Sequence, residues 1–395
     1  MTAPQTTQDS PERARRDELD GLLRATCEAD ASDLHLTPGS PPSLRIHGRL
    51  TAIEDAEVLT PEQTRGLVDA VLGERDRARL EREGDLDGAL SFSFTDPSGE
   101  VVQPRFRFNV FRVGGDYGIA LRRLEERFRT LTELGLPESL HELGAAPDGL
   151  ILVAGPTGSG KSTTLASLLH RINTERAAHI ITIEDPVEVL HRPLQSVVNQ
   201  REIGRDARTF AGALHAALRQ DPDVILVGEI RERETIRTAI TAAETGHLVF
   251  STVHAGDVAS AIERVVAAFP SGEQDGLRTQ LSLVLRAVIA QQLLTADGPA
   301  ASERARVLIA EVLRVTPAAA NLIAGGKINQ LASVLETGAR DGMRTREASL
   351  AEHASAGRLS FQRALAAARR PEVLRRRLGR EGAETAPRPD RKGGW

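Results

Sequence analysis

Three observations predict an α/β fold in two parts. From Leu150 to about Leu294, short apolar runs rich in β-branched residues alternate with helical patterns, the mark of a parallel sheet with crossover helices. Residues 17–125 read differently, as a helix, a strand pair, a long helical stretch and three further strands joined by tight turns, which makes a small α+β domain. One apolar run, Leu150–Ala154, opens directly into Gly155-Pro-Thr-Gly-Ser-Gly-Lys-Ser162, a phosphate-loop pattern. The 395 residues divide accordingly into a disordered N-terminus (1–16), an N-terminal domain (17–125) and a connector (126–149). A phosphate-loop core (150–295), a helical region (296–370) and a basic flexible tail (371–395) follow.

The N-terminal domain begins with a helical pattern from Asp17 to Ala29, on which Cys27 is expected to be a buried small residue. Ser32–Leu36 and Ser43–His47 alternate polar and apolar about Pro38-Gly-Ser-Pro-Pro42 and read as paired strands. Pro61 to about Glu83 is helical, and Leu86–Phe94, Val101–Val113 and Tyr117–Leu124 are strands, with Gly114-Gly115 as a hairpin turn. In the core, strands are expected at Leu150–Ala154, Ile180–Ile183, Asp223–Val227 and Leu248–Thr252. From Val307 to Arg369 the pattern is mostly helical.

Strand, glycine turn and helix is the context a phosphate loop requires. Leu165, Leu168, Leu169 and Ile172 share one face of the helix that follows the loop. Backbone N–H groups of Gly155, Pro156–Gly160 (Pro156 excepted, having none) and the helix start then point at phosphates, with Thr157, Gly158 and Ser159 forming the tip. Lys161 reaches the β- and γ-phosphates of ATP, and Ser162, next to Thr163, offers a hydroxyl to Mg²⁺. The chain has 47 arginines and only three lysines. A compact ammonium on a thin stem suits a wrapped triphosphate better than a planar guanidinium.

Ligands of open parallel sheets bind at the carboxyl ends of the strands. Here those ends carry Glu184-Asp185, Glu229, and Thr252 with His254. Glu184 is a candidate general base, though which carboxylate takes the water's proton stays open, Glu229 is the acidic end of the third strand, and Asp185 and Glu229 are candidate Mg²⁺ ligands with Ser162. His254 is a candidate either to sense a γ-phosphate or to hold the water network, and His247 is expected to be structural, entering its strand after Thr245-Gly246.

Composition removes several classes. A net charge of -5 gives no overall attraction to nucleic acid or anionic lipid, and 3% aromatics leave few platforms for stacking bases. One cysteine excludes an internal disulfide and a cysteine-cluster zinc site. No apolar run approaches the ~20 residues that span a bilayer, and the N-terminus lacks a signal-peptide core. A cytoplasmic chain is the expectation.

Four segments in order carry a family resemblance: Gly155–Thr163, Ile181-Thr-Ile-Glu-Asp-Pro-Val-Glu188, Asp221-Pro-Asp-Val-Ile-Leu-Val-Gly-Glu-Ile-Arg231, and Ala242–Phe250 running into Ser251-Thr-Val-His254. They resemble the Walker A, Asp, Walker B and His boxes of the type IV pilus retraction ATPases, the PilT-type twitching-motility motors of the secretion ATPase superfamily. Ser32–Leu36, Phe106–Phe111, Leu285–Leu293 and Asp341–Thr345 extend the likeness over residues 18–370.

The resemblance implies a PAS-like N-terminal domain followed by a RecA-like P-loop ATPase domain with a helical C-terminal region. It implies hexameric rings that hydrolyse ATP between neighbouring subunits, with arginines matching Arg107 and Arg122 completing the site. It also implies work on pilin disassembly, beside an inner-membrane pilus platform protein, at the inner face of the cytoplasmic membrane. Glu232 stands where the family has Asp, Ala255-Gly-Asp follows His254 where Thr is common, and Ser302–Arg306 replaces a Gly-rich hairpin. Extension and type II secretion ATPases carry a four-cysteine zinc module, which one cysteine cannot build. An accessory retraction paralogue or another secretion-type ATPase is the alternative. A nucleic-acid translocase is a more distant one, since RecA-like scaffolds host those too.

Overall fold

The computed structural model of the chain describes residues 11–46, 49–96, 99–124, 128–299 and 306–379. Two compact units emerge. One is Met1–Arg127 together with Pro186–Leu190, the other Phe128–Asp185 together with His191–Trp395. Among the described residues, no helix is long and apolar enough to cross a membrane.

The first unit starts with α1 (Pro11–Glu28), whose Leu19 and Leu23 are fully buried. There follow β1 (Asp33–Leu36), β2 (Ser43–Ile46), β3 (Arg49–Ala52), α2 (Pro61–Val71) and α3 (Glu74–Glu83). Then come β4 (Asp85–Ser91), the two-residue pair β5 (Phe94–Thr95) and β6 (Val101–Val102), β7 (Arg105–Val113) and β8 (Asp116–Arg123). Six strands form one antiparallel sheet in the order β3-β2-β1-β8-β7-β4. Helix α2 begins on a capping box, Thr60 accepting from the Gln63 N–H and the Gln63 side chain from the Thr60 N–H. The β7–β8 turn places Gly114 and Gly115 at φ 60° and 94°, the two left-handed positions of a type I′ hairpin. Phe106, Val110, Ile119 and Leu121 of that hairpin pack with Leu34, Leu36 and Leu67.

Several expectations change here. Residues 11–16 are helical, where disorder was expected through residue 16; residues 1–10 lie outside the described residues. The helical stretch 61–83 is two helices, because Leu72 is extended and Gly73 caps the second. Strand β3 is an exposed edge strand that the alternation did not reveal, and His47 lies outside the described residues. Cys27 is half-buried against the core of this unit, not fully buried.

The second unit opens with a 3₁₀ helix (Glu138–Ala145) inside the expected connector. Its elements are β9 (Gly149–Ala154), α4 (Lys161–Glu175), β10 (His179–Glu184), β11 (Val197–Glu202), α5 (Phe210–Ala217), β12 (Val224–Val227) and α6 (Arg233–Glu244). They continue with β13 (Leu248–Val253), α7 (Val258–Ala267), α8 (Ser271–Val284), β14 (Leu285–Thr295) and β15 (Arg306–Arg314). The helices α9 (Pro317–Ala324), α10 (Leu331–Thr337), α11 (Arg346–Ser355), α12 (Phe361–Ala367) and α13 (Pro371–Arg377) complete it. The sheet order is β11-β10-β12-β13-β9-β14-β15. All neighbours are parallel except β14 and β15.

Both faces of this sheet are covered, so its central strands are apolar throughout. Leu150, Leu152 and Ala154 of β9 pack with α6–α8, while Ile151 and Val153 pack on the other face with Leu165, Leu168, Leu169 and Ile172 of α4. The region 296–370, expected to be helical, opens with strand β15 and becomes helical only from α9. In the expected tail, 371–377 form α13, and 380–395 lie outside the described residues, as do 302–305 of the replaced hairpin, whose last residue, Arg306, begins β15.

Candidate active site at the strand ends

The phosphate loop is built on close approach. A Cβ on Gly155 would fall on Ser159 Oγ and come within 2.6 Å of the Gln291 carbonyl oxygen, so the strand can turn here only with glycine. Gly160 caps α4 at φ 89°, a conformation side chains rarely adopt. The fifteen-residue α4 then starts at Lys161, and the N-terminal N–H groups and dipole of such a helix favour anions. Pro156, Thr157, Gly158, Ser162 and Thr163 are exposed at the mouth, whereas Ser159 is buried. Lys161 Nζ donates to the carbonyls of Gly155 and Pro156, both at 3.0 Å, which holds the ammonium over the loop.

Strand register aligns the other ends with this loop. Ala154 pairs with Val253, Ser251 with Val227, and Val227 with Ile183. Ser251 Oγ donates to the Val227 carbonyl (2.7 Å) and Thr252 Oγ1 to that of Gly228 (2.6 Å), which lock the ends of β12 and β13 together. Beyond that lock, Glu229 Oε2 lies 2.8 Å from Arg231 Nη2 and 3.8 Å from His254 Nε2. Burial, then the positive charges of Lys161 and Arg231, hold the His254 imidazole below its ordinary pKa, against the opposing pull of Glu229. At neutral pH His254 is therefore an uncharged hydrogen-bonding group.

Glu184 ends β10, three strands away from β9 in the sheet order. Its Oε1 accepts from Thr182 Oγ1 (2.6 Å) and from Gln200 Nε2 (3.2 Å) of β11. Gly228 brings the β12 end toward it: a Cβ there would stand 3.2 Å from the Ile183 carbonyl oxygen and 3.4 Å from Glu184 Cα. Asp185 follows, exposed. His247 closes the turn before β13, its Nδ1 2.9 Å from the Ala242 carbonyl oxygen.

Arg107 and Arg122 sit in the first unit, directly opposite one another on β7 and β8. Arg122 Nε is 2.8 Å from Asp33 Oδ1, and Arg107 Nη2 is 3.8 Å from Asp87 Oδ1. The Arg107–Asp87 pair is exposed on both sides and of small energetic worth, whereas Arg122 is an exposed guanidinium held by a buried carboxylate, Asp33. The second unit thus brings the loop, Glu229 and His254 to one mouth, with Glu184 beside it, and the two arginines stand on the other unit.

Two groups inside the quoted segments were given no role by the sequence. Gln291 is 2% exposed, and its Nε2 donates to Thr164 Oγ1 at 2.7 Å beneath the loop helix. Its one sequence signal is a polar residue inside the apolar run of β14. Arg231, the partner of Glu229, is one of many arginines and carries no such signal.

Comparison with known proteins gives the chain's family and its overall likeness. Residues 105–366 match the family described as type II/IV secretion system protein. The type IV pilus retraction ATPase PilT of Pseudomonas aeruginosa is 41% identical over 351 residues, covering 89% of this chain and 98% of that one. A twitching motility protein of Neisseria gonorrhoeae is 42% identical over 337 residues, 85% of this chain and 84% of its own length. Among solved structures, the pilus retraction motor PilT with bound ADP superposes with a TM-score of 0.79 at 42% identity, covering 91% of this chain and 98% of that one.

Proposed function

Because the chain belongs to the type II/IV secretion system protein family, we propose that it is an ATP-hydrolysing motor of the pilus-retraction kind. One observation carries the reading: a phosphate loop whose Lys161 shares a single strand-end mouth with the Glu229–His254 pair, on a chain alike over nearly its whole length to a retraction ATPase. The ADP held by the solved relative supports a nucleotide at this mouth.

In this reading the loop N–H groups and Lys161 hold the phosphates, and Ser162, Thr163 and the start of α4 orient them. Magnesium suits the kinds of oxygen donor the loop and strand ends offer, the Ser162 hydroxyl and the carboxylates of Asp185 and Glu229. Among the described residues no group of three or more His, Cys, Asp or Glu is arranged to hold a metal by itself. That suits an ion whose shell is completed by phosphate oxygens and water, and which, when bound, neutralises charge on the β- and γ-phosphates. Glu184 accepts a proton from water as the water oxygen adds to the γ-phosphorus. The bond to the β–γ bridging oxygen breaks, and ADP and inorganic phosphate leave. Neutral His254 hydrogen-bonds on the γ side. Arg107 and Arg122 supply positive charge to a nucleotide held by a neighbouring subunit of a hexameric ring, which ties turnover to subunit movement.

The output is pilin removal at the base of a type IV pilus, through a platform protein at the inner face of the cytoplasmic membrane. Deleting the gene and scoring surface pili and twitching tests this. Non-motile cells with excess pili are expected. Bald cells would point to extension instead, and cells that still retract would make the chain an accessory to another motor.

A further inference from the structure

Two arginines of the C-terminal helical layer reach the mouth of the phosphate loop. Arg346, the first residue of α11, and Arg369, between α12 and α13, line a groove of about 420 Å³ with Pro156, His254, Gln291 and Gln292. Arg369 Nη1 pairs with Asp257, whose other oxygen accepts the Ser260 N–H at 2.5 Å as the N-cap of α7. The same guanidinium occupies the space over Gly256, where a Cβ would stand 3.1 Å from Arg369 Nη2. Only Ala255 and Gly256 separate that pair from His254.

On the other flank, Arg346 donates to the Gln292 side chain through Nη2 and to the Ala367 carbonyl through Nε at 2.9 Å. The preceding Gln291 holds Thr164 under the loop helix. The segment that carries Arg369 is itself fixed. Glu347, 2% exposed on α11, accepts the backbone N–H groups of Arg369 (3.2 Å) and Arg370 (3.0 Å). Strands β13 and β14 are the two neighbours of β9 in the sheet. Strand β14, through Gln292, and the loop that leaves β13, through Asp257, are therefore tied by guanidinium groups to one helical layer.

We propose that Arg369 is a positioning residue for nucleotide hydrolysis. Through Asp257 and Gly256 it sets the loop that carries His254, while Arg346 sets β14 on the opposite side of the phosphate loop. The two contacts make residues 346–370 respond to what the loop holds. The proposal rests on the reading that this mouth binds ATP.

Asp257→Asn tests it cleanly, because Asn caps a helix as well as Asp does and only the ion pair is lost. In that variant and in Arg369→Ala, kcat should fall about tenfold with KM within about twofold of the unaltered chain, and Arg369→Lys should recover part of the loss. Hydrogen exchange in the full chain gives a readout independent of turnover. ADP should slow exchange at 155–164 and at 366–370 in the unaltered chain, and Asp257→Asn should keep the first protection and lose the second. An unchanged kcat in Asp257→Asn, or protection of 366–370 that survives in it, overturns the proposal. Absence of any ADP protection at 155–164 in the unaltered chain would instead remove the nucleotide reading beneath it, and the proposal with it.

Discussion

His191 is 8% exposed, its Nδ1 has no hydrogen-bond partner among the described residues, and the Phe128 ring stands 4.9 Å away. Burial, with His170 nearby, pushes its pKa down from 6.5 to about 4. The fold favours the neutral imidazole, so this stability is complete above pH 6.5 and is lost as pH falls through about 4. The shift corresponds to about 3 kcal/mol over that window. Denaturant titrations at pH 7.5, 5.5 and 4.5 should show His191→Leu losing less stability on acidification than the unaltered chain; equal losses would contradict the assignment. Residues also differ in how plainly the sequence announces them. Lys161 stands out because lysine is rare in this chain and sits in a spaced glycine pattern. Gln291 and His191 act through burial, which one residue in an apolar or mixed run does not declare.

Elements hold the site together by their ends, and Gly228 is where two of them meet. With its Cβ position 3.2 Å from the Ile183 carbonyl, Gly228→Ala must push the ends of β10 and β12 apart and shift Glu184 relative to Glu229. The strain asks for a shift of a few tenths of an ångström, well short of the ~1 Å that costs about 10²-fold in rate, so Gly228→Ala should lower kcat by roughly several-fold while thermal unfolding stays two-state; full activity would show that the two carboxylates need not be held in register. The parallel core strands were legible because continuous β-branched runs end in acidic or glycine residues. Strand β15 was not: Val-Leu-Ile-Ala-Glu-Val-Leu is apolar enough to read equally as a buried helix, and periodicity alone does not separate the two. Strand β11 (Val-Val-Asn-Gln-Arg-Glu) and strand β3 lie at sheet edges, where half-exposed polar sequences carry little alternation. The start of α1 was missed because its first turns are charged and its buried leucines come later.

For the whole molecule, the division of labour between the two units carries the largest consequence. The first unit holds Arg107 and Arg122 on an antiparallel sheet, and the second holds the phosphate loop, Glu229 and His254 on a parallel one. If the arginines serve a neighbouring subunit, two kinds of defective chain should complement. Arg107→Ala subunits keep intact loops and Lys161→Ala subunits keep intact arginines. Mixed and reassembled, they should recover a measurable fraction of ATP turnover that neither shows alone; no recovery, in mixtures verified to co-assemble, would place the arginines in the site of their own chain. Steady-state ATP hydrolysis by the purified full chain, with and without Lys161→Ala, tests the central claim most directly. The unaltered chain should release phosphate continuously, and the variant should lose turnover by about 10²-fold or more, because the phosphates lose a preorganised charge. Undiminished hydrolysis in Lys161→Ala would contradict the assignment of this loop as the nucleotide site.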